Sequence, residues 1–208
     1  MMGENVNKNN KTWTSDKIRA CMKDFVNNTL DEDDRMVIGD IIDTIPITID
    51  GRLKSSMGYF SAKYRRSGEF ISPVRFKFSK RINAYNDDTV KNIVYHELIH
   101  LLSDKYYKRN TAHGKEWQEC CHKYKVNDNE FFTPNLELEK DYYRYHIYCN
   151  ECNELIGVRD RLSKEKIIQL LLYGRHQNDD GKLRIYDNKE GKYLTLNDIT
   201  TNDWIKLI

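Results

Sequence analysis

Two histidines one helical turn apart, with a glutamate beside the first, make up the segment His96-Glu97-Leu98-Ile99-His100. On an α-helix, positions i and i+4 lie about 40° apart around the axis, so both imidazoles can address one point. The surrounding residues favour a helix from about Thr89 to Ser103. Asp87 or Asp88 can cap its N-terminus, and Val90, Val94, Leu98 and Leu101 form an apolar stripe opposite the two histidines. With 6 His in 208 residues, chance placement of H-E-x-x-H somewhere in a chain has a probability on the order of 1%. A helix carrying two incidental core histidines is therefore the weaker reading.

Such a pair needs a third ligand to form a zinc site. A catalytic zinc takes three protein ligands and leaves a fourth position for water, and a glutamate next to a ligand can take that water's proton. His113, in Ala112-His113-Gly114-Lys115-Glu116-Trp117, stands at the entrance of a second helix expected from about His113 to Tyr124. Imidazole is the better-matched ligand there, with the carboxylates of Glu116 and Glu119 as alternatives. The metzincin spacing would require Gly at 103 and His at 106, but those positions are Ser103 and Tyr106, which excludes that class. In this reading Glu97 is the general base of a metal-assisted hydrolysis.

A hydrophobic content of 39% over 208 residues suits one medium domain with a small appendage. The net charge of +2 decides nothing about partners, but its distribution does. From Asp31 to Asp50 the charges are mostly acidic. From Arg52 to Arg81 they are basic, with Arg52, Lys54, Lys63, Arg65, Arg66, Arg75, Lys77, Lys80 and Arg81 against Glu69 alone. These cations, interleaved with Tyr59, Phe60, Tyr64 and Phe76, could hold DNA, single-stranded or at a junction; the plainer alternative is a solvated strand face over a core. The first residues are polar, and no run approaches the roughly 18 apolar residues of a membrane span. The expectation is a cytoplasmic protein with no membrane partner. Cys21, Cys120, Cys121, Cys149 and Cys152 include one C-x-x-C pair, which in a reducing compartment suggests metal more than disulfides.

Along the chain, helical apolar spacing runs from Thr14 or Ser15 to about Asn28. Strands are expected near Ile45 to Ile49, Gly58 to Tyr64 and Phe70 to Phe78, with Ser67-Gly68 as a turn. Val74, Phe76 and Phe78 alternate with Arg75, Lys77 and Ser79, which predicts one buried and one solvent face. Pro46 and Pro73 each lack a ladder donor and belong at an edge, a strand start or a bulge. The character changes near Thr133-Pro134. Three regions are expected: a flexible tail over 1–14, a main domain over 15–140 and a small C-terminal part over 141–208. The last opens with Tyr142, Tyr143, Tyr145 and Tyr148 and holds the Cys149-x-x-Cys152 knuckle, a short amphipathic stretch from Ser163 to Leu172, and a hairpin from Leu183 to Leu196.

Taken with Met57-Gly58-Tyr59-Phe60, the segments at 96–100 and 113–117 give the chain a resemblance to the SprT-like (Spartan-type) zinc metalloproteases, over roughly Ser15 to Tyr186. The resemblance implies an α+β, zincin-like domain: an N-terminal helix, a small three-stranded sheet, the H-E-x-x-H helix and a third-ligand helix, followed by a small zinc ribbon. It implies His96, His100 and His113 as ligands, Glu97 as the catalytic carboxylate, Zn2+ as cofactor, and protein substrates bound or cross-linked to DNA. Here the ribbon departs from the family's two C-x-x-C pairs. Only Cys149 and Cys152 stand, and His176 and Asp179 are the residues that could complete a second, structural zinc; a ribbon held by packing without metal is the alternative. A non-proteolytic nucleic-acid-binding zinc protein with a vestigial or structural site is the competing function, against which an acid beside an open coordination position argues.

Overall fold

The computed structural model describes residues 12–129, 132–177 and 180–200. The expected flexible tail over 1–14 lies outside the described residues except for 12–14. The chain divides into two compact units, Met1–Thr133 and Pro134–Ile208. Both mix helices with a small sheet, so the fold is α+β. No described helix is long and apolar enough to cross a membrane.

In the first unit, α1 (Ser15–Asn28) starts where the Thr14 side chain accepts a hydrogen bond from the Lys17 amide, and it buries Ile18, Met22, Phe25 and Val26. A second helix, α2 (Glu32–Thr44), fills what reads in the sequence as an acidic stretch. Asp31 caps it, and Glu32, Asp33 and Asp34 sit in its first turn, where the helix dipole favours negative charge. The sheet follows as β1 (Ile47–Asp50), β2 (Gly58–Tyr64) and β3 (Phe70–Ser79), in the order β1-β3-β2. β1 runs parallel to β3 and β2 antiparallel to it.

The prolines explain the sheet's irregularities. Pro46 precedes β1, and its carbonyl accepts the Phe76 amide at 2.9 Å. Pro73 lies on the central strand, but short of the segment Phe76–Ser79 that β1 pairs with, and beside the β2–β3 register shift at Ser61/Ala62. Its missing N–H therefore leaves no ladder bond unmade. Phe76 and Phe78 are fully buried, each worth about 2–3 kcal/mol of apolar transfer. Ser79 corrects the alternation: it is buried, and its hydroxyl donates to the Leu53 carbonyl at 2.8 Å. Arg81 is also buried, spent on the Lys54 and Ser56 carbonyls that shape the approach to β2.

Helix α3 (Asp87–Tyr106) begins earlier than expected because Asn86 rather than Asp87 or Asp88 provides the cap, accepting from the Thr89 amide at 2.9 Å, and it runs on past Ser103 to Tyr106. It packs against α1, α2, β2, β3 and α4 (Lys115–Tyr124), so it is buried on several sides. Val90, Val94, Leu98 and Leu101 are all fully buried.

The second unit has its own core. After α5 (Leu136–Glu139), the strands β4 (Tyr145–Cys149), β5 (Leu155–Arg159), β6 (Leu183–Asp187) and β7 (Lys192–Tyr193) form an antiparallel sheet ordered β5-β4-β6-β7. Tyr145, Ile147, Leu183 and Ile185 pack on one side with Ile167 of α6 (Lys164–Tyr173) and with Ile199 of the short α7 (Leu196–Thr200). His146 and Tyr148 of β4 pair with Tyr186 and Arg184 of β6 on the other side.

Candidate metal centre

Because α3 is buried on several sides, its two histidines have one direction in which to project. His113 meets them from the residue before the α4 N-cap, Gly114. The three rings converge on their Nε2 atoms: His113 lies 3.2 Å from His96 and 3.1 Å from His100. Zinc–nitrogen bonds of 2.0–2.1 Å at a tetrahedral angle put ligand nitrogens about 3.3 Å apart. The three imidazoles thus have the spacing a tetrahedral ion requires, and together they form one of two potential metal-holding groups among the described residues.

Electrostatics favour the same use. Burial, and secondarily the neighbouring His113, lowers the pKa of His96 to about 4, a backbone hydrogen bond with Asn127 partly opposing this. Burial likewise lowers His100 to about 3, with His96 and His113 adding to it. Neutral imidazoles keep the lone pairs that a cation needs. Trp117 of α4 is fully buried with its ring centroid 4.8, 5.1 and 4.7 Å from those of His96, His100 and His113, so one indole walls all three.

Glu97 is buried beside this cluster, and its Oε2 accepts the Phe60 amide of β2 at 2.7 Å. Burial raises its pKa to about 8, the Phe60 hydrogen bond opposing. β2 comes so close that a Cβ on Gly58 would lie 2.6 Å from Glu97 Cγ and Oε1. A side chain at position 58 would therefore have to displace the Glu97 carboxylate. Neither carboxylate alternative joins the group: Glu116 pairs with Arg109, and exposed Glu119 lies near Tyr107 and Lys115.

A second group lies in the C-terminal unit. Cys149 closes β4 and is buried, Cys152 is exposed in the turn to β5, and His176 is buried. The turn is tight, with Asn153 at φ 63° and the Cys149 amide donating to Glu154 O at 2.9 Å. Cys152 Sγ lies 3.5 Å from His176 Nδ1, and Glu154 Oε2 lies 3.5 Å from the other ring nitrogen. Asp179 falls outside the described residues. His146 is elsewhere, its Nε2 2.8 Å from the Lys140 carbonyl.

The basic residues scatter over one strand face and two loops. Lys63, Arg75 and Lys77 lie along the outer face of β2 and β3 with exposed Tyr59, which pairs with Lys77. Arg65 and Arg66 are exposed at the hairpin turn, Arg65 bonded to Glu69; Arg52 and half-buried Lys54 follow β1. Asp50 engages both Arg52 and Lys77 at 3.4 Å. Sequence reasoning did not single out Asp104 or Thr111, and it offered Tyr64 as an aromatic for bases, whereas in the structure Asp104 bonds both Thr111 and Tyr64 near the chain leading to His113. The available signal was Asp104 itself, a carboxylate one turn beyond His100 on the same helical face.

The family model described as SprT-like family matches residues 26–139, which include β2 and all three histidines. Among curated proteins, none matches the chain.

Proposed function

The chain belongs to the SprT-like family, and from that premise we propose that it is a zinc-dependent metalloprotease with a zincin-like catalytic domain over about 15–140. The observation that carries this reading is the convergence of three Nε2 atoms next to a buried, backbone-anchored carboxylate. His96, His100 and His113 would hold the ion; an all-imidazole set with this spacing suits zinc. Bound there, it would supply Lewis acidity to a water and to a peptide carbonyl.

The chain's own residues do the rest. Glu97 is held by the Phe60 amide through Oε2, beside the ligand His96 in sequence. Its raised proton affinity suits a base working near neutrality, and a cation on the adjacent rings would draw that affinity down again. Glu97 takes a proton from the attacking water as its oxygen bonds to the carbonyl carbon. It delivers that proton to the nitrogen as the C–N bond breaks.

The substrates we propose are proteins bound to DNA. Lys63, Arg75 and Lys77 with Tyr59 offer phosphates and bases a charged, aromatic face. In the C-terminal unit we propose a ribbon-like structural zinc site built on Cys149, Cys152 and His176, in which Glu154 orients the imidazole from its far nitrogen. The test mixes the protein with a basic DNA-binding protein, with and without single-stranded DNA and a chelator. DNA-stimulated, chelator-sensitive cleavage that disappears in Glu97→Gln is expected. DNA binding without any cleavage, self-cleavage included, would instead favour a non-proteolytic zinc protein.

A further inference from the structure

We propose that Asp104 is the positioning residue for the third imidazole, fixing the loop that presents His113; this rests on the metal-centre reading above. Asp104 follows His100 by four residues and His96 by eight, so it stands on the ligand-bearing face of α3, one turn further along. It is 2% exposed. A buried carboxylate is tolerated only when its oxygens are satisfied, and here the donors come from two places. Oδ1 accepts both the Thr111 amide at 2.7 Å and the Thr111 hydroxyl at 2.8 Å, while Oδ2 accepts the Tyr64 hydroxyl of β2.

Thr111 is two residues before His113, and the contacts extend from there. Its hydroxyl also meets Ser103 Oγ at 2.8 Å, and its carbonyl accepts the Gly114 amide at 2.9 Å, closing a turn around Ala112 and His113. A Cβ on Gly114 would sit 2.9 Å from that carbonyl, so the turn needs glycine. Ala112 adopts φ 44°, an unfavourable region for a residue with a side chain, held by the bond from its amide to Asn110 Oδ1 at 2.9 Å. Upstream, the Asn110 amide donates to Gly68 O at 3.1 Å, and Lys108 O accepts the Phe70 amide at 2.9 Å. A strained turn with a ligand in it keeps its shape only while its first residue is clamped, and Asp104 is the clamp that α3 provides. The helix thereby sets all three imidazoles: two directly, the third through a carboxylate.

The test measures Zn2+ affinity of the full chain by competition with a chromophoric chelator, reading the binding step absent from His113→Ala, and the unfolding midpoint of the metal-free protein. Asp104→Ala should weaken that step by about 10- to 100-fold, the range for groups that orient ligands. Asp104→Asn, which still accepts from Thr111 and can donate to Tyr64, should return to within about threefold of the parent. Thr111→Val, which removes only the hydroxyl, should lose affinity several-fold and decides the matter if Asp104→Ala does not fold. A lowered midpoint with parental affinity in the folded Asp104→Ala or Thr111→Val chain would overturn the proposal and leave the metal centre standing. Parental affinity in His113→Ala would remove the metal centre and the proposal with it.

Discussion

Burial pulls Glu97 and its neighbouring histidines in opposite directions along the pH scale. Glu97, near 4.5 when unfolded and about 8 when folded, contributes stability below pH 4.5 that is lost as pH rises toward 8. His96 and His100, at about 4 and 3 when folded against 6.5 unfolded, contribute stability above pH 6.5 that is lost as pH falls toward 4 and 3. In metal-free protein, Glu97→Gln should therefore stabilise, by on the order of 2–4 kcal/mol at pH 8 and far less at pH 5. Urea unfolding across that range checks it; a pH-independent difference would mean the carboxyl is ionised in the folded chain. Gly58→Ala should push Glu97 from its bond to Phe60 and lower peptide cleavage by about tenfold or more while zinc content stays unchanged. Cleavage at the parental rate would show that β2 does not fix the base. At this scale the sequence spoke clearly about His96, Glu97, His100 and His113, because their chemistry depends on residue type and helical spacing. It was silent about Asp104, and it marked Gly58 only as part of a motif and Tyr64 only as an aromatic for bases, because the roles of all three depend on which strand or loop comes near.

Helices α3 and α4 matter to the site through where they start. Asn86→Ala removes the side-chain acceptor for the Thr89 amide and should cost about 1 kcal/mol. Thermal unfolding measures that loss; no loss would place the start of α3 elsewhere. Helix α2 was the element hardest to read. Its acidic first turn masks Val37, Ile38, Ile41 and Ile42, an i, i+4 pattern that puts Ile38 and Ile42 in the core. Asp34 then becomes a buried acceptor for Lys123 at 2.7 Å and for the Tyr124 hydroxyl, tying α2 to the third-ligand helix α4. Strands were more legible, since period-two alternation with Pro46 and Pro73 at tolerated positions leaves few registers.

Across the whole chain, the two units have separate cores and candidate metal groups of different chemistry. One is all imidazole; the other pairs two thiols with one imidazole. A sheet as small as β5-β4-β6-β7 gains much from a bound ion. Cys149→Ser should make amides of β4 and β6 exchange at least about tenfold faster, with protection in α3 unchanged. Equal protection in parent and variant would mean that packing alone holds this sheet. The change of character near Thr133-Pro134 was visible in composition, and the ribbon resemblance pointed to His176 as a partner of Cys149 and Cys152; how it reaches the Cys149 turn depends on the pairing of β4 with β6, which one sequence does not reveal.

The most direct measurement is metal analysis with X-ray absorption on the full chain, on His113→Ala and on Cys149→Ser. The account predicts a zinc with a nitrogen and oxygen shell, lost by about one equivalent in His113→Ala and kept in Cys149→Ser. Zinc retained in full by His113→Ala, or bound only through sulfur, would contradict it.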